Sequence, residues 1–464
     1  MTTLRSDPAR SPAPAADAAL TPGELEAMRA AFEANPQHRL LQNAVTKVKI
    51  EDVALDRRVL TATDHSFSHH LDDWAVTNQK QSGRCWMFAG LNLLRVGAMR
   101  AMNLKQFEFS QSHTQFFDKL ERANYFLNAI IDTADRDADD RTVAFLLDHP
   151  LDDGGQWNMF VALVAKHGLV PQSVMPETVS SSCTRTMNGH LLAILRTAAA
   201  EIRRQQGDTA AQHRTRRQTM AVVHRVLCLH LGTPPTSFDW QWMDKDRAFH
   251  RDGVLTPRQF AKRYVTLPLE DYVCVVHDPR PTSPVGRTFT VAFLGNVVGA
   301  PPVKYLNVPI DVMKTLTMDA IVGGEPVWMG CDVGKMMQRE LGVWDAALYD
   351  LEGVYGAPVA MGKADRLIHH DARMTHAMLF TGVDVVDADA PGSGARPRRW
   401  RVENSWGDEG GRKGFYVMND SWFDEHMFEV AVRRDALPAD LRAALDTEPI
   451  VLPPWDPMGA LACR

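Results

Sequence analysis

A chain of 464 residues, 45% apolar and 23% charged, has the composition of an ordinary soluble globular protein, with length for two or three domains and a large core. A net charge of −6 argues against a protein dedicated to nucleic acid, and the lack of any apolar run of about 18 residues argues against a membrane span. The six cysteines (85, 183, 228, 274, 331 and 463) show no CxxC pair or zinc spacing, so they read as free thiols in a reducing cytosol, with no metal or organic cofactor implied.

Residues 1–20 are rich in Ala, Pro, Ser and Thr, hold Arg5 and Arg10 but no signal-peptide apolar run, and are expected to be disordered. Thr21-Pro22-Gly23-Glu24 predicts a capped helix running to about Ala34. Val45 to Ile50 and Val59 to Thr63 read as strands. His69-His70 invites a metal reading, but adjacent residues point apart and no partner motif follows.

The stretch from Asn78 to Gly90 is polar up to Cys85 and then turns apolar. Trp86, Ala89, Gly90, Leu93 and Leu94 recur at helical spacing, so a buried helix begins at Cys85. A sulfur there lies near unpaired N–H groups and the positive end of the helix dipole, which favours the nucleophilic thiolate. Gln79, six residues upstream, is placed to donate to an oxyanion forming beside that sulfur.

Ser110 caps an amphipathic helix through Phe116, Leu120 and Leu127, and the acidic run from Asp132 to Arg141 reads as a solvated linker. Asp152-Asp153-Gly154-Gly155 is expected to cap a helix from Gln156 to His167, ended by Gly168. The pair Gly154 and Gly155 suits backbone lying against a bound peptide, or a plain turn.

Residues 185–232 read as two helices, Leu191 to Gln206 and Gln212 to Leu231, carrying eight Arg against Glu201 and Asp208. A nucleic-acid patch would interleave aromatic residues with those arginines, and none do. The segment therefore reads as a solvated helix pair that makes subunit salt bridges, with nucleic-acid binding as the alternative. Pro234 to Val265 reads as turns and short helices. Strands follow at Tyr272 to His277, Thr288 to Phe293 and Tyr305 to Val308. Val312 to Ile321 then reads as a helix, Pro326 to Cys331 as a buried strand and Ala364 to His370 as a helix.

Thr375 to Val383 reads as a buried strand with His376 near its start. Arg401 to Gly407 reads as a second strand breaking at Asn404, with Asp387 to Arg399 as the hairpin loop between them. Gly410 to Met418 adds a Gly-rich turn and a further strand. The 28 residues from His376 to Asn404 can be closed by adjacent strands. A Cys on a helix tip, a His on a strand and an Asn on the next strand can form a Cys-His-Asn triad. Alone, each residue has a bland reading: a small core Cys, a satisfied core His, a turn Asn. Their order, together with Gln79 and the two Trp residues that follow Cys85 and Ser405, outweighs those readings.

Gln-x5-Cys-Trp, His-Ala and Asn-Ser-Trp-Gly in this order resemble the papain superfamily of cysteine peptidases. The finer resemblance is to its bleomycin hydrolase and aminopeptidase C branch. It is carried by Asn78 to Phe88, Asp153 to Gly168 and Trp455 to Ala462, and runs from about residue 25 to the end. It implies an α+β papain-like fold with a large helical insertion, since the 291 residues from Cys85 to His376 are roughly twice the papain separation. The expected parts are a helical subdomain at 21–184, an oligomer-building insertion at 185–265, a β-rich subdomain at 266–447 and a tail at 448–464.

The resemblance implies a cytoplasmic, homohexameric thiol aminopeptidase acting on peptides with a free N-terminus, with bleomycin-type amides within its range. Cys85 would attack the scissile carbonyl and His376 protonate the leaving amine. Asn404 would orient His376 and Trp406 cover that bond. Gln79 and the Cys85 N–H would hold the oxyanion. Leu452 to Pro457 reads as a stiff extended tail. In the family it lies in the enzyme's own cleft and ends near the position of Ala462, where its carboxylate receives the substrate amine. Cys463-Arg464 depart from that pattern and are expected to be trimmed by the enzyme, since Arg464 would bring positive charge to the amine site.

Overall fold

A computed structural model describes residues 18–71, 74–387 and 394–459. They divide into two units, Met1–Arg57 with Tyr349–Val359, and Arg58–Leu348 with Ala360–Arg464. In the first, Thr21 and Glu24 form the expected capping box of helix Pro22–Ala34. Asn35 then caps a second helix, Pro36–Val45, whose first position is a proline. The strands expected at Val45 to Ile50 and Val59 to Thr63 are absent: Val45 ends helix Pro36–Val45, Thr46 to Lys49 form a turn before helix Ile50–Ala54, and Val59 to Ala62 lie in helix Arg57–Ala62. Apolar runs this short do not distinguish a period of two from one of 3.6.

The second unit is built on a twelve-stranded sheet. Its principal strands are β1 (Tyr272–Val276), β2 (Thr288–Val291), β3 (Tyr305–Asn307), β4 (Val327–Cys331), β5 (His376–Val386), β6 (Arg396–Glu403), β7 (Phe415–Asn419), β8 (Met427–Arg433) and β9 (Ile450–Leu452). They are ordered β9-β2-β3-β1-β8-β4-β5-β6-β7, and the two-residue strands Val343–Trp344 and Met337–Gln338 continue past β7. Central pairs are antiparallel, while β1 with β3 and β2 with β9 are parallel. Strand β5 is buried from His376 to Asp384 and registers His376 with Cys331 of β4 and Leu379 with Glu403 of β6.

One sheet face packs on helices α1 (Cys85–Met102) and α3 (Trp157–His167), with Trp86, Phe88, Trp157, Phe160 and Trp328 in the shared core. The other face buries Trp344, Phe380, Trp400, Trp422 and Phe423. A third core joins α2 (Gln111–Asp132), α4 (Arg185–Arg204) and α5 (Thr209–Leu231) through Phe116, Leu127, Leu191, Leu195 and Val223. The segment expected as turns and short helices after Pro234 instead forms a hairpin, Phe238–Met243 with Phe249–Leu255, before helix Pro257–Tyr264. Trp240 and Trp242 stack on one another in that hairpin at 5.8 Å. Among the described residues, no helix is long and apolar enough to cross a membrane.

Candidate active site

Helix α1 begins at Cys85 after Arg84, whose side chain makes no capping bond. Its first turn is pinned from two sides. The Trp86 indole donates to the Asp153 carbonyl (2.8 Å), and the Trp86 carbonyl accepts from the Trp328 indole of β4 (3.0 Å). Cys85 is buried at 2% exposure. Two other cysteines have surroundings that keep them as thiols: complete burial pushes Cys274 and Cys331 well above the ordinary range.

The loop before Cys85 docks on the turn after Asn404. Gln79 N–H donates to the Ser405 carbonyl (2.8 Å), Ser405 Oγ donates to Gln79 Oε1 (2.6 Å), and Gln79 Nε2 donates to the Ser82 carbonyl (2.6 Å). Asn78 and Trp406 form an isolated bridge between the same segments. On β5, His376 Nε2 bonds Asn404 Oδ1 at 2.9 Å, and that oxygen also accepts from Ser405 N–H (2.7 Å). The Trp406 ring lies 4.9 Å from the His376 ring at 31°, and the Arg339 guanidinium lies 4.9 Å from the Trp406 ring. His376 and Asn404 are both buried.

Behind this layer lies Glu403, which sequence reasoning missed. Its carboxylate receives the Trp74 indole, Asn92 Nδ2 and Arg95 Nη2, the last two from α1. Burial raises its pKa and Arg95 opposes the rise. The pair ties the helix of Cys85 to the strand that ends at Asn404. The i, i+3 spacing of Asn92 and Arg95 on an otherwise apolar helix was the available signal.

Asp153 does not cap the following helix. Gln156 holds the cap position without a side-chain bond, and Asp153 instead binds Lys119, Gly83 N–H (3.2 Å), Thr184 Oγ1 (2.6 Å) and Asn188 Nδ2 (2.8 Å). Burial would push this carboxyl up, but the Lys119 ammonium and the hydrogen bonds hold it well below the usual range. A buried charge finds stronger partners in a cation and three donors than in a helix end.

Asp153, Gly154, Gly155 and Gln156 face Pro454 to Gly459 across a cavity of about 270 Å³ that His370 and Arg373 also line. Gly155 is required by packing: a Cβ there would lie 2.5 Å from the Trp86 ring. The Gly154 carbonyl accepts from Arg122, which stacks over Trp86 at 5.5 Å. The structure thus brings Asn404 and Trp406 to His376, joins Gln79 to Ser405 beside them, and sets Gly155 against Trp86 in the first turn of the Cys85 helix. Ala462 lies outside the described residues. No group of three or more metal-ligating side chains occurs among the described residues.

Four arginines of the 185–232 segment are engaged within the chain, three of them with groups outside that segment. Arg196 binds the Leu147 and Asp148 carbonyls, Arg203 those of Thr133 and Arg136, Arg204 pairs with Glu201 and Arg216 binds Asn124. The nucleic-acid alternative draws no support from these contacts.

Comparison with known proteins matches residues 19–459 to the Peptidase C1-like family. The chain is 43% identical over 447 residues to aminopeptidase C of Listeria innocua serovar 6a, covering 96% of this chain and 99% of that one. It is 42% identical over 441 residues to human bleomycin hydrolase, covering 93% and 96%. The crystal structure of PepW from Lactobacillus rhamnosis superposes with a TM-score of 0.93 at 42% identity, over 96% of this chain and all of the other. On this evidence the chain belongs to the Peptidase C1-like family, as a papain-like cysteine peptidase of the aminopeptidase C and bleomycin hydrolase kind.

Proposed function

We propose that this cysteine aminopeptidase removes N-terminal residues from peptides by acyl transfer, with Cys85, His376, Asn404 and Gln79 as its catalytic groups. The observation that carries the reading is the 2.9 Å bond from His376 Nε2 to Asn404 Oδ1, on a turn that also seats Gln79. Asn404 accepts at Nε2, which leaves Nδ1 for the Cys85 thiol.

The thiol proton passes to Nδ1, and the sulfur forms a bond to the scissile carbonyl carbon. The carbonyl oxygen takes the negative charge, which the Gln79 amide and the Cys85 N–H stabilise. As the intermediate collapses, the C–N bond breaks and the imidazolium proton goes to the departing amine. Water then gives a proton to His376, its oxygen attacks the thioester and the acid leaves with regeneration of the thiol. Trp406 shields the His376–Asn404 bond, and Gly154 and Gly155 present backbone to the substrate.

Ala462 is the proposed contact for the substrate's free amine, which would restrict cleavage to the first peptide bond. The protein works as a homohexamer in the cytoplasm, with residues 185–265 at subunit contacts and bleomycin-type amides among its substrates. The names of its relatives, aminopeptidase C and bleomycin hydrolase, support this range.

The test is hydrolysis of one aminoacyl fluorogenic amide beside its N-acetylated twin under reducing conditions, with Cys85→Ala as control. Turnover of the free-amine substrate alone, abolished in the variant, is expected. Equal turnover of both substrates would keep the nucleophile and remove the aminopeptidase assignment.

A further inference from the structure

One wall of the cavity beside Gly154 and Gly155 is carried by the residues that lead into His376. Their backbone is pinned on both sides of Arg373. Asp371 and Ala372 N–H both donate to the Arg366 carbonyl (2.8 and 3.0 Å), and Thr375 N–H donates to the Cys331 carbonyl of β4 (2.9 Å). Burial alternates from Ala372 to His376, as it does along a strand. Ala372 and Met374 are buried, with Met374 packed against Gly330. Fixing those two inward turns Arg373 the other way, half-buried, into the cavity wall.

Among the described residues, Arg373 has no ion pair or side-chain hydrogen bond. The carboxylates that share the cavity are each paired elsewhere: Asp152 with His149 (3.4 Å), Asp153 with Lys119 and Asp456 with Arg280 (2.9 Å). Arg122, the other arginine there, holds Asp118 (2.9 Å) and the Gly154 carbonyl. The adjacent Asp371 is taken by Lys335 (2.5 Å). Withdrawing a guanidinium from water without a counter-charge costs free energy that a carboxylate arriving on a ligand gives back. The planar fork of an arginine receives a carboxylate through two parallel N–H···O bonds, so it selects by shape as well as by charge. At about 270 Å³ the cavity lies below the roughly 300–1,000 Å³ of pockets for drug-sized ligands, a size that suits one residue of a peptide. In a cleft that admits the ammonium group of a substrate, an unpaired cation penalises peptides that bring only that ammonium. A carboxylate on the same peptide removes the penalty.

We propose that Arg373 is a specificity-determining residue that binds a side-chain carboxylate of the substrate, which makes acidic peptides the favoured class. The proposal rests on the aminopeptidase reading above. The carboxylate belongs to a Glu or Asp at the first or the second position of the peptide, and the two sources are separated by where the acid is placed.

The experiment compares substrates of equal shape that differ in charge. Glu and Gln fluorogenic amides probe the first position, and the peptides Leu-Glu-Leu and Leu-Gln-Leu the second. Each comparison is read as a ratio of kcat/KM within one enzyme preparation, which does not depend on the folded fraction, so a partly unfolded variant is still informative. Wild type is expected to favour the acid about tenfold at one position, the scale of one hydrogen bond between charged groups, and that position names the source. Arg373→Gln should bring the ratio to about one. Arg373→Lys should keep a weaker preference, because an ammonium lacks the fork. Arg373→Glu should invert it and favour Lys over Gln at the same position. A wild-type ratio of about one at both positions overturns the proposal, and so does a preference that Arg373→Gln leaves in place. Equal turnover of the Glu amide and its N-acetylated twin by wild type overturns the aminopeptidase reading and the proposal with it. Turnover of the free amine alone, with ratios of about one, overturns the role of Arg373 and leaves the aminopeptidase reading standing.

Discussion

Ser405 makes three bonds with three different atoms: its N–H to Asn404 Oδ1, its carbonyl to Gln79 N–H and its hydroxyl to Gln79 Oε1. One residue therefore holds both the Asn404 side chain that bonds His376 and the Gln79 side chain proposed to face the oxyanion. Ser405→Ala removes only the hydroxyl. A neutral hydrogen bond contributes about 1 kcal/mol net, and 1.4 kcal/mol is tenfold in rate, so kcat should fall roughly fivefold with KM unchanged. Single-turnover kinetics beside Gln79→Ala, for which about 10²–10³ is expected, measures the split. The positions of Cys85, His376 and Asn404 were legible in the sequence because each sits at a local break: a helix start, a strand start, a strand end. The role of Ser405 was not, because its partner lies 326 residues away and no local pattern encodes that pairing.

Between elements, the Arg95–Glu403 pair sets how α1 meets β6. Both side chains are at most 1% exposed. Removing one partner of a buried pair strands the other charge, at a typical cost of about 3–5 kcal/mol. Arg95→Met should therefore lower Tm by many degrees and lower activity through displacement of Asn404, whereas a surface pair such as Arg434–Asp446 should be nearly silent when broken. Thermal unfolding monitored beside kcat checks both. Long helices were readable because their apolar spacing repeats over several turns, as in α1 and α2. The hairpin at Phe238–Leu255 was not: its strands are largely half-exposed, its loop has no Gly, and the left-handed position is filled by Arg247 at φ 65°.

On the scale of the whole molecule, Glu429 is a buried carboxyl that stays protonated at neutral pH. It lies on β8, where among the described residues neither carboxylate oxygen has a nitrogen or oxygen partner and the Cys274 thiol lies beside it. Burial pushes its pKa up to about 8 from the ordinary 4.5. Across that window the unfolded chain has released the proton and the folded one retains it, so stability falls as pH rises, by up to about 1.4 kcal/mol per pH unit. Glu429→Gln should raise Tm by a few degrees at pH 8, with the difference closing toward pH 4.5. Melting curves across that range decide it, and a constant offset at all pH values would contradict it. Cys85 and the Ser405 that seats its oxyanion donor are separated by most of the chain. At about 5–20 residues per second, synthesis leaves the new thiol without its histidine and asparagine for roughly 15–65 s. On the proposed assignment, chain order thus works as a delay: the nascent peptidase carries no assembled catalytic centre among other nascent chains until Asn404 has emerged.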